Sequence, residues 1–349
     1  MPSSEGAGLT NGFHESHPRK RAHPLVPGVY VPTPAFFKDD KDEPVDLDSV
    51  AKHAVRLARA GVTGIAVQGS NGEAVHLLDY ERDHITQITR GALDEAGFTE
   101  MPLIVGCAAQ STRQTIELCK QAALNGGDAA LVLPPAYYQG LFDKDTIICF
   151  FTDVAEASPI PIVIYNYPGA VSGLDLSSDV LTQLGKAHRN IVGAKFTCGN
   201  TGKLARVAAE FTGRPVPSAQ AAGDEAYAND YPDFLCFAGS GDFLTPAMAA
   251  GAAGVIPGIA NVAPATVVKL YRSLVKGQGD QALQRTLARG DWAAIQSGAV
   301  GVKVALQEYF GYGGWARKPL PRPEGEVRGK IVEGFRELVE LENSLAGGA

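Results

Sequence analysis

Lys195 follows the apolar run Ile191-Val192-Gly193-Ala194 and precedes Phe196-Thr197. A lysine at the rim of a buried strand is costly to keep charged, and desolvation favours its neutral amine. A neutral amine attacks a ketone carbonyl and forms an imine. The same position also suits a lysine that is ion-paired at the strand end or that extends its ammonium into water. Tyr165 stands at the matching end of the preceding apolar run, where a phenol can pass a proton to and from a substrate hydroxyl. It reads equally as a core aromatic whose hydroxyl reaches the rim. The turn Gly69-Ser70-Asn71-Gly72-Glu73 offers backbone N–H groups and two short polar side chains, a combination that suits a carboxylate and also an ordinary loop. Tyr137 and Tyr138 read as core or interface aromatics. The seven histidines form no H-x-H or H-E-x-x-H arrangement, which leaves a metal site without support. Gly239-Ser240-Gly241 carries only a broken form of the hydrolase nucleophile elbow.

The elements that must position these residues repeat with one rhythm. Short apolar runs at 28–31, 64–67, 103–105, 129–133, 160–165, 191–194, 234–237 and 254–256 lack polar alternation, as parallel strands buried on both faces do. Helical periodicity lies between them, beginning after Asp46 as an N-cap and ending at Gly61, then at 79–95, 111–125, 143–156, 177–187, 200–210, 243–250 and 264–275. Eight alternating units predict a closed barrel or a large doubly wound sheet. No glycine-rich dinucleotide or phosphate fingerprint follows the first strand, which favours the barrel. In a barrel the chemistry sits at the carboxyl ends of the strands, where Lys195, Tyr165 and the Gly69–Gly72 turn all fall. The expected fold is a single (β/α)8 barrel over 27–275 with a helical extension over 276–349, anchored by Trp292, Tyr309, Phe310, Trp315 and Phe335. Residues 1–26 read as a disordered polar tail.

Composition narrows the function classes. The chain has 349 residues, 45% of them hydrophobic and 20% charged, with a net charge of −7. That balance opposes a nucleic-acid partner, which needs a basic face. No apolar run approaches the ~18 residues that cross a bilayer, so no membrane role is expected. Five widely spaced cysteines without a C-x-x-C pair suggest neither a disulfide framework nor zinc and point to a reducing compartment. The tail lacks an apolar signal region. Its Pro18-Arg19-Lys20-Arg21 cluster is short, and Glu5 and Glu15 speak against a mitochondrial presequence, so the expected location is cytoplasmic with mitochondrial second.

Taken in order, Gly69–Glu73, Pro134–Tyr138, Tyr165-Asn166-Tyr167-Pro168, Gly193-Ala194-Lys195, Gly239–Asp242, Gly254-Val255-Ile256 and Ala260-Asn261-Val262 resemble the dihydrodipicolinate synthase and N-acetylneuraminate lyase family of pyruvate-dependent lyases. The resemblance runs from about residue 28 to about residue 319. It implies a Schiff base on Lys195 with no cofactor and no metal, proton transfer by Tyr165, and a pyruvate carboxylate held by Ser70, Asn71 and Gly72. It also implies a relay tyrosine, Tyr138, supplied across a subunit interface, Thr197 facing the second substrate, and Gly239 and Ile256 lining the pocket. The implied partner is a small 2-oxo acid and the implied assembly is a homotetramer, a dimer of dimers. The lysine-biosynthetic synthases carry two threonines where this chain has Ser70-Asn71, and an arginine where it has Ala170. The Ser-Asn pair, Gly173–Leu176 and Phe310–Gly314 are instead similar to 4-hydroxy-2-oxoglutarate aldolases. A 2-keto-3-deoxy sugar acid aldolase, a dihydrodipicolinate synthase and a non-catalytic barrel are the alternatives.

Overall fold

The computed structural model describes residues 23–211 and 234–346. Eight strands alternate with eight helices: β1 Tyr30–Pro32, α1 Leu47–Arg59, β2 Gly64–Val67, α2 Asp79–Glu95, β3 Leu103–Gly106, α3 Thr112–Leu124, β4 Ala129–Val132, α4 Lys144–Ala157, β5 Ile162–Asn166, α5 Ser178–Ala187, β6 Ile191–Phe196, α6 Thr201–Phe211, β7 Leu235–Ala238, α7 Leu244–Ala249, β8 Gly254–Val255 and α8 Pro264–Val275. Two longer helices follow, α9 Gln281–Phe310 and α10 Gly325–Ala346. The strands pair in parallel in chain order, and a parallel bridge between Val29 and Val255 brings the two ends of the sheet together as a barrel.

Local signals fix the element ends. Asp46 caps α1 by accepting from the Ser49 amide at 3.3 Å, as its place in the sequence predicts. Gly61 and Gly126 adopt φ of 85° and 94°, left-handed values that glycine reaches without a Cβ penalty and that turn each helix back to its next strand. Strand residues alternate between two cores. Ala66, Ile104, Leu131, Val163, Tyr165, Phe237 and Ile256 fill the barrel interior, while their neighbours Ile65, Val105, Val132, Ile164, Ala194 and Ala238 pack against the helices.

Several boundaries differ from expectation. β6 runs two residues past the apolar run, to Phe196, with Lys195 inside the strand near its carboxyl end, where the sequence places it. β5 begins at Ile162, after Pro161, which has no amide proton for the ladder. β1, β7 and β8 are likewise displaced by a residue or two from the apolar runs. Of the polar tail, residues 1–22 lie outside the described residues. Residues 23–26 are not loose: Leu25 is buried in the barrel interior, the His23 amide donates to Asp128 at 2.8 Å, and the Val26 amide donates to the Tyr30 hydroxyl at 3.0 Å. Among the predicted anchors of the C-terminal extension, Phe335 is fully buried and Tyr309 and Phe310 pack on the core, but Trp292 is 56% exposed and anchors nothing there.

Candidate active site

Lys195 and Tyr165 are direct partners in the β5–β6 register, and Phe237 flanks Lys195 on the other side from β7. All three side chains therefore point into the barrel. Lys195 is 3% exposed, and its Nζ lies 4.3 Å from the centre of the Tyr165 ring. Among the described residues the amine makes no hydrogen bond or ion pair, so the ion-paired and solvent-reaching alternatives both fall. Burial with no compensating carboxylate lowers its pKa to about 7 from 10.5. Near neutrality a large share of the amine is then unprotonated and nucleophilic.

The Tyr165 hydroxyl meets the Ser70 hydroxyl at 2.9 Å. Burial raises the phenol pKa, opposed by Ser70 and by the nearby Thr197 hydroxyl. Thr197 Oγ1 is buried beside that phenol hydroxyl. Gly239 makes that placement possible: a Cβ there would stand 2.1 Å from Thr197 Oγ1 and 2.5 Å from its Cα. Tyr167 stacks on Tyr165, with ring centres 5.7 Å apart and 24° between planes, one layer nearer the barrel mouth. Asn166, pointing the other way, donates to Asp175 at 2.8 Å and accepts from the Leu176 amide at 3.0 Å, which fixes the end of β5.

The turn after β2 is held in an unusual conformation. Gln68 and Glu73 have φ of 57° and 48°, a left-handed region that costs a non-glycine residue of order 1 kcal/mol or more. The Gln68 amide group anchors the entry by donating to the Arg82 carbonyl at 2.6 Å and to Thr86 at 2.7 Å. Gly106 must lack a side chain, since a Cβ would stand 1.9 Å from the Gln68 carbonyl oxygen. Gly72 is similarly confined: an added Cβ would stand 2.9 Å from the Gln68 amide nitrogen and 3.1 Å from the Thr33 carbonyl oxygen. Asn71 leans on Gly258, whose missing Cβ would come within 2.8 Å of Asn71 Nδ2. Ile256 is fully buried in the interior layer.

The structure thus brings together Lys195, Tyr165, Ser70, Thr197 and Gly239. It does not bring Tyr138 to them within one chain: Tyr138 is 61% exposed and stacks edge-on against Tyr137 at 4.9 Å. The sequence reading missed what lies behind the loops. Asp291 of α9 is 2% exposed and accepts from the Ser240 hydroxyl and the Gly241 amide at 2.6 Å and from the Asp242 amide at 2.9 Å. Burial lifts its pKa to about 6, against the pull of the Ser240 bond. Lys303, also of α9, is fully buried and meets Glu73 at 2.5 Å. The available signal was a charged residue inside an apolar helical stretch, Gly301-Val302-Lys303-Val304-Ala305-Leu306. Among the described residues no cluster of histidine, cysteine, aspartate and glutamate has the arrangement of a metal site.

A barrel with a buried, unpaired lysine and a phenol at the carboxyl ends of adjacent strands carries the groups that an imine-forming lyase or aldolase would use. The pattern of the dihydrodipicolinate synthetase family matches residues 29–339, and the chain belongs to that family. It is 50% identical to a probable mitochondrial 4-hydroxy-2-oxoglutarate aldolase of Emericella nidulans over 92% of this chain and 98% of that one. It is 46% identical to an L-threo-3-deoxy-hexylosonate aldolase of Hypocrea jecorina over 93% of this chain and all of that one. Among solved structures, a dihydrodipicolinate synthase family protein from Coccidioides immitis superposes with a TM-score of 0.78 at 33% identity, covering 93% of this chain and 99% of the other.

Proposed function

We propose that the protein is a class I aldolase that cleaves a 4-hydroxy-2-oxo acid into pyruvate and an aldehyde through an imine on Lys195. The observation that carries this reading is the solvent-shielded Lys195 amine, without a counter-charge, packed on the Tyr165 ring. The amine attacks the C2 carbonyl, and loss of water yields an iminium that draws electrons from the C3–C4 bond. Tyr165 takes the proton of the C4 hydroxyl as that bond breaks and the aldehyde leaves. Protonation of the resulting enamine at C3 and hydrolysis then release pyruvate. Ser70 aligns Tyr165 through their 2.9 Å contact, and the amides of the Ser70–Gly72 turn receive the substrate carboxylate.

The substrate reading is 4-hydroxy-2-oxoglutarate, giving pyruvate and glyoxylate, supported by the relative at 50% identity; Ala170 in place of a carboxylate-binding arginine speaks against dihydrodipicolinate synthesis. A second reading, a 3-deoxy-hexulosonate, has the support of the relative at 46% identity. Comparing kcat/KM for these two substrates with the rate of condensation of pyruvate with aspartate semialdehyde tests the assignment. Faster cleavage of 4-hydroxy-2-oxoglutarate is expected; condensation as the fastest reaction would replace it with a synthase. The chemistry needs no metal or organic cofactor, and activity is expected to survive EDTA. The exposed pair Tyr137–Tyr138 fits a subunit contact in a homotetramer, with Tyr138 reaching a neighbouring site. The names of two relatives favour mitochondria over the cytoplasm as the place of action.

A further inference from the structure

Glu73 ends the turn assigned above to the substrate carboxylate, and it is itself 3% exposed. Its amide closes the turn on the Ser70 carbonyl at 3.2 Å. Its carboxylate is fully engaged away from the pocket: Lys303 Nζ reaches Oε1 at 2.5 Å, and the Arg317 amide and the His76 ring reach Oε2 at 2.9 and 3.1 Å. Lys303 is fully buried, donates also to the Trp315 carbonyl at 3.0 Å, and lies 4.3 Å from the centre of the Phe37 ring.

A buried ion pair of this kind gives little net stability, because the desolvation of both charges offsets their attraction. Two neutral residues of similar volume would serve the fold as well, so stability alone does not account for the pair. What the pair supplies is a fixed point. Glu73 sits in a left-handed conformation that its own side chain does not favour, three residues from the hydroxyl that contacts Tyr165. A carboxylate pinned from a helix outside the barrel holds that conformation against relaxation.

We infer that Lys303 is a positioning residue: through Glu73 it sets the height of the Ser70–Gly72 amides and so the affinity of the site for the carboxylate of its 2-oxo acid. The inference rests on the assignment of that turn as the carboxylate cradle. Helix α9 is built for such a part. Its backbone breaks at Gly298, with φ of 57° and ψ of −152°, values open to glycine alone. The break separates the half that carries Asp291, which grips the loop after β7, from the half that carries Lys303.

The test is the full-length double variant Glu73→Gln/Lys303→Met, in which neither charge is left unpaired. Pyruvate is titrated, borohydride fixes the imine, and intact mass gives both the half-saturating concentration and the plateau of adduct on Lys195. The half-saturating concentration is expected to rise roughly tenfold or more, the scale of a small misplacement of a binding group, with the plateau and melting temperature near wild type. Glu342→Gln removes another buried carboxylate charge, one that caps α8 through the Thr266 amide at 2.8 Å, and is expected to leave the half-saturating concentration unchanged. If the double variant does not fold, Glu73→Gln alone is read in the same way: the Gln amide oxygen can still accept from Lys303, which also keeps its bond to the Trp315 carbonyl. A folded variant that saturates at the wild-type concentration overturns the positioning role and leaves the aldolase reading standing. Absence of any adduct in the wild type overturns the aldolase reading, and this inference with it.

Discussion

In the proposed mechanism the chemistry turns on the Lys195 amine, whose pKa is brought down to about 7 from 10.5 by burial. Below that value the amine is protonated and cannot attack; above it the nucleophile is present. The rate of pyruvate imine formation should therefore rise about fivefold or more from pH 6 to pH 8, with a midpoint near 7, as the neutral fraction grows. A rate that keeps rising up to pH 10 in stopped-flow measurement would mean that the lysine behaves as an ordinary exposed one. In the proposed mechanism Tyr165 acts after imine formation, so Tyr165→Phe should still yield the pyruvate adduct while kcat for cleavage drops by roughly 10²–10⁴-fold, the scale of a lost acid–base group. An unchanged kcat would remove Tyr165 from the proton path.

At the scale of elements, the site depends on backbones that approach too closely for any side chain. Gly239 is the sharpest case, since an added Cβ would strike the backbone and hydroxyl of Thr197. Gly239→Ala should push β7 from β6, cost about 1–3 kcal/mol in denaturant titration, and raise KM for the 2-oxo acid. Wild-type stability together with wild-type KM would show that β6 and β7 tolerate the extra methyl. The legibility of the sequence follows from the same physics. Lys195, Tyr165 and the Ser70 turn could be read because each stands where an apolar run ends, and the alternation of runs and helices placed those ends on one face. Asp291 and Lys303 lie 126 or more residues from Tyr165 and Ser70 in the chain, and local spacing carries no trace of a loop gripped from a distant helix. Strand ends were displaced by one or two residues because pairing to neighbours, and not hydrophobicity, decides where a strand stops: β6 continues through Lys195 since β5 and β7 continue beside it. Leu25 was assigned to the tail because a single apolar residue among polar ones gives no periodicity, although it fills the barrel interior.

For the molecule as a whole, keeping an unpaired lysine inside the barrel sets function against stability. The folded state releases the Lys195 proton near pH 7, the unfolded chain near 10.5, so between these values the unfolded state binds more protons and wild-type stability rises with pH. Lys195→Met should accordingly raise the melting temperature most at or below pH 7, with the advantage shrinking toward pH 10. A gap that does not change with pH would argue that Lys195 is not desolvated in the folded protein. Helix α9 holds the loops after β2 and β7 through Lys303 and Asp291, and the segment after it adds Arg317, which pairs with Glu81 at 2.7 Å. The extension beyond the barrel is thereby part of the site's support.

The central claim, a covalent imine on Lys195, is tested most directly by incubating the protein with pyruvate, reducing with borohydride, and determining the mass of the intact chain and of its peptides. The account predicts one pyruvate-derived adduct per chain, on the peptide that contains Lys195, and none in Lys195→Ala. Folded protein that carries no adduct, or carries it on another lysine, would contradict it.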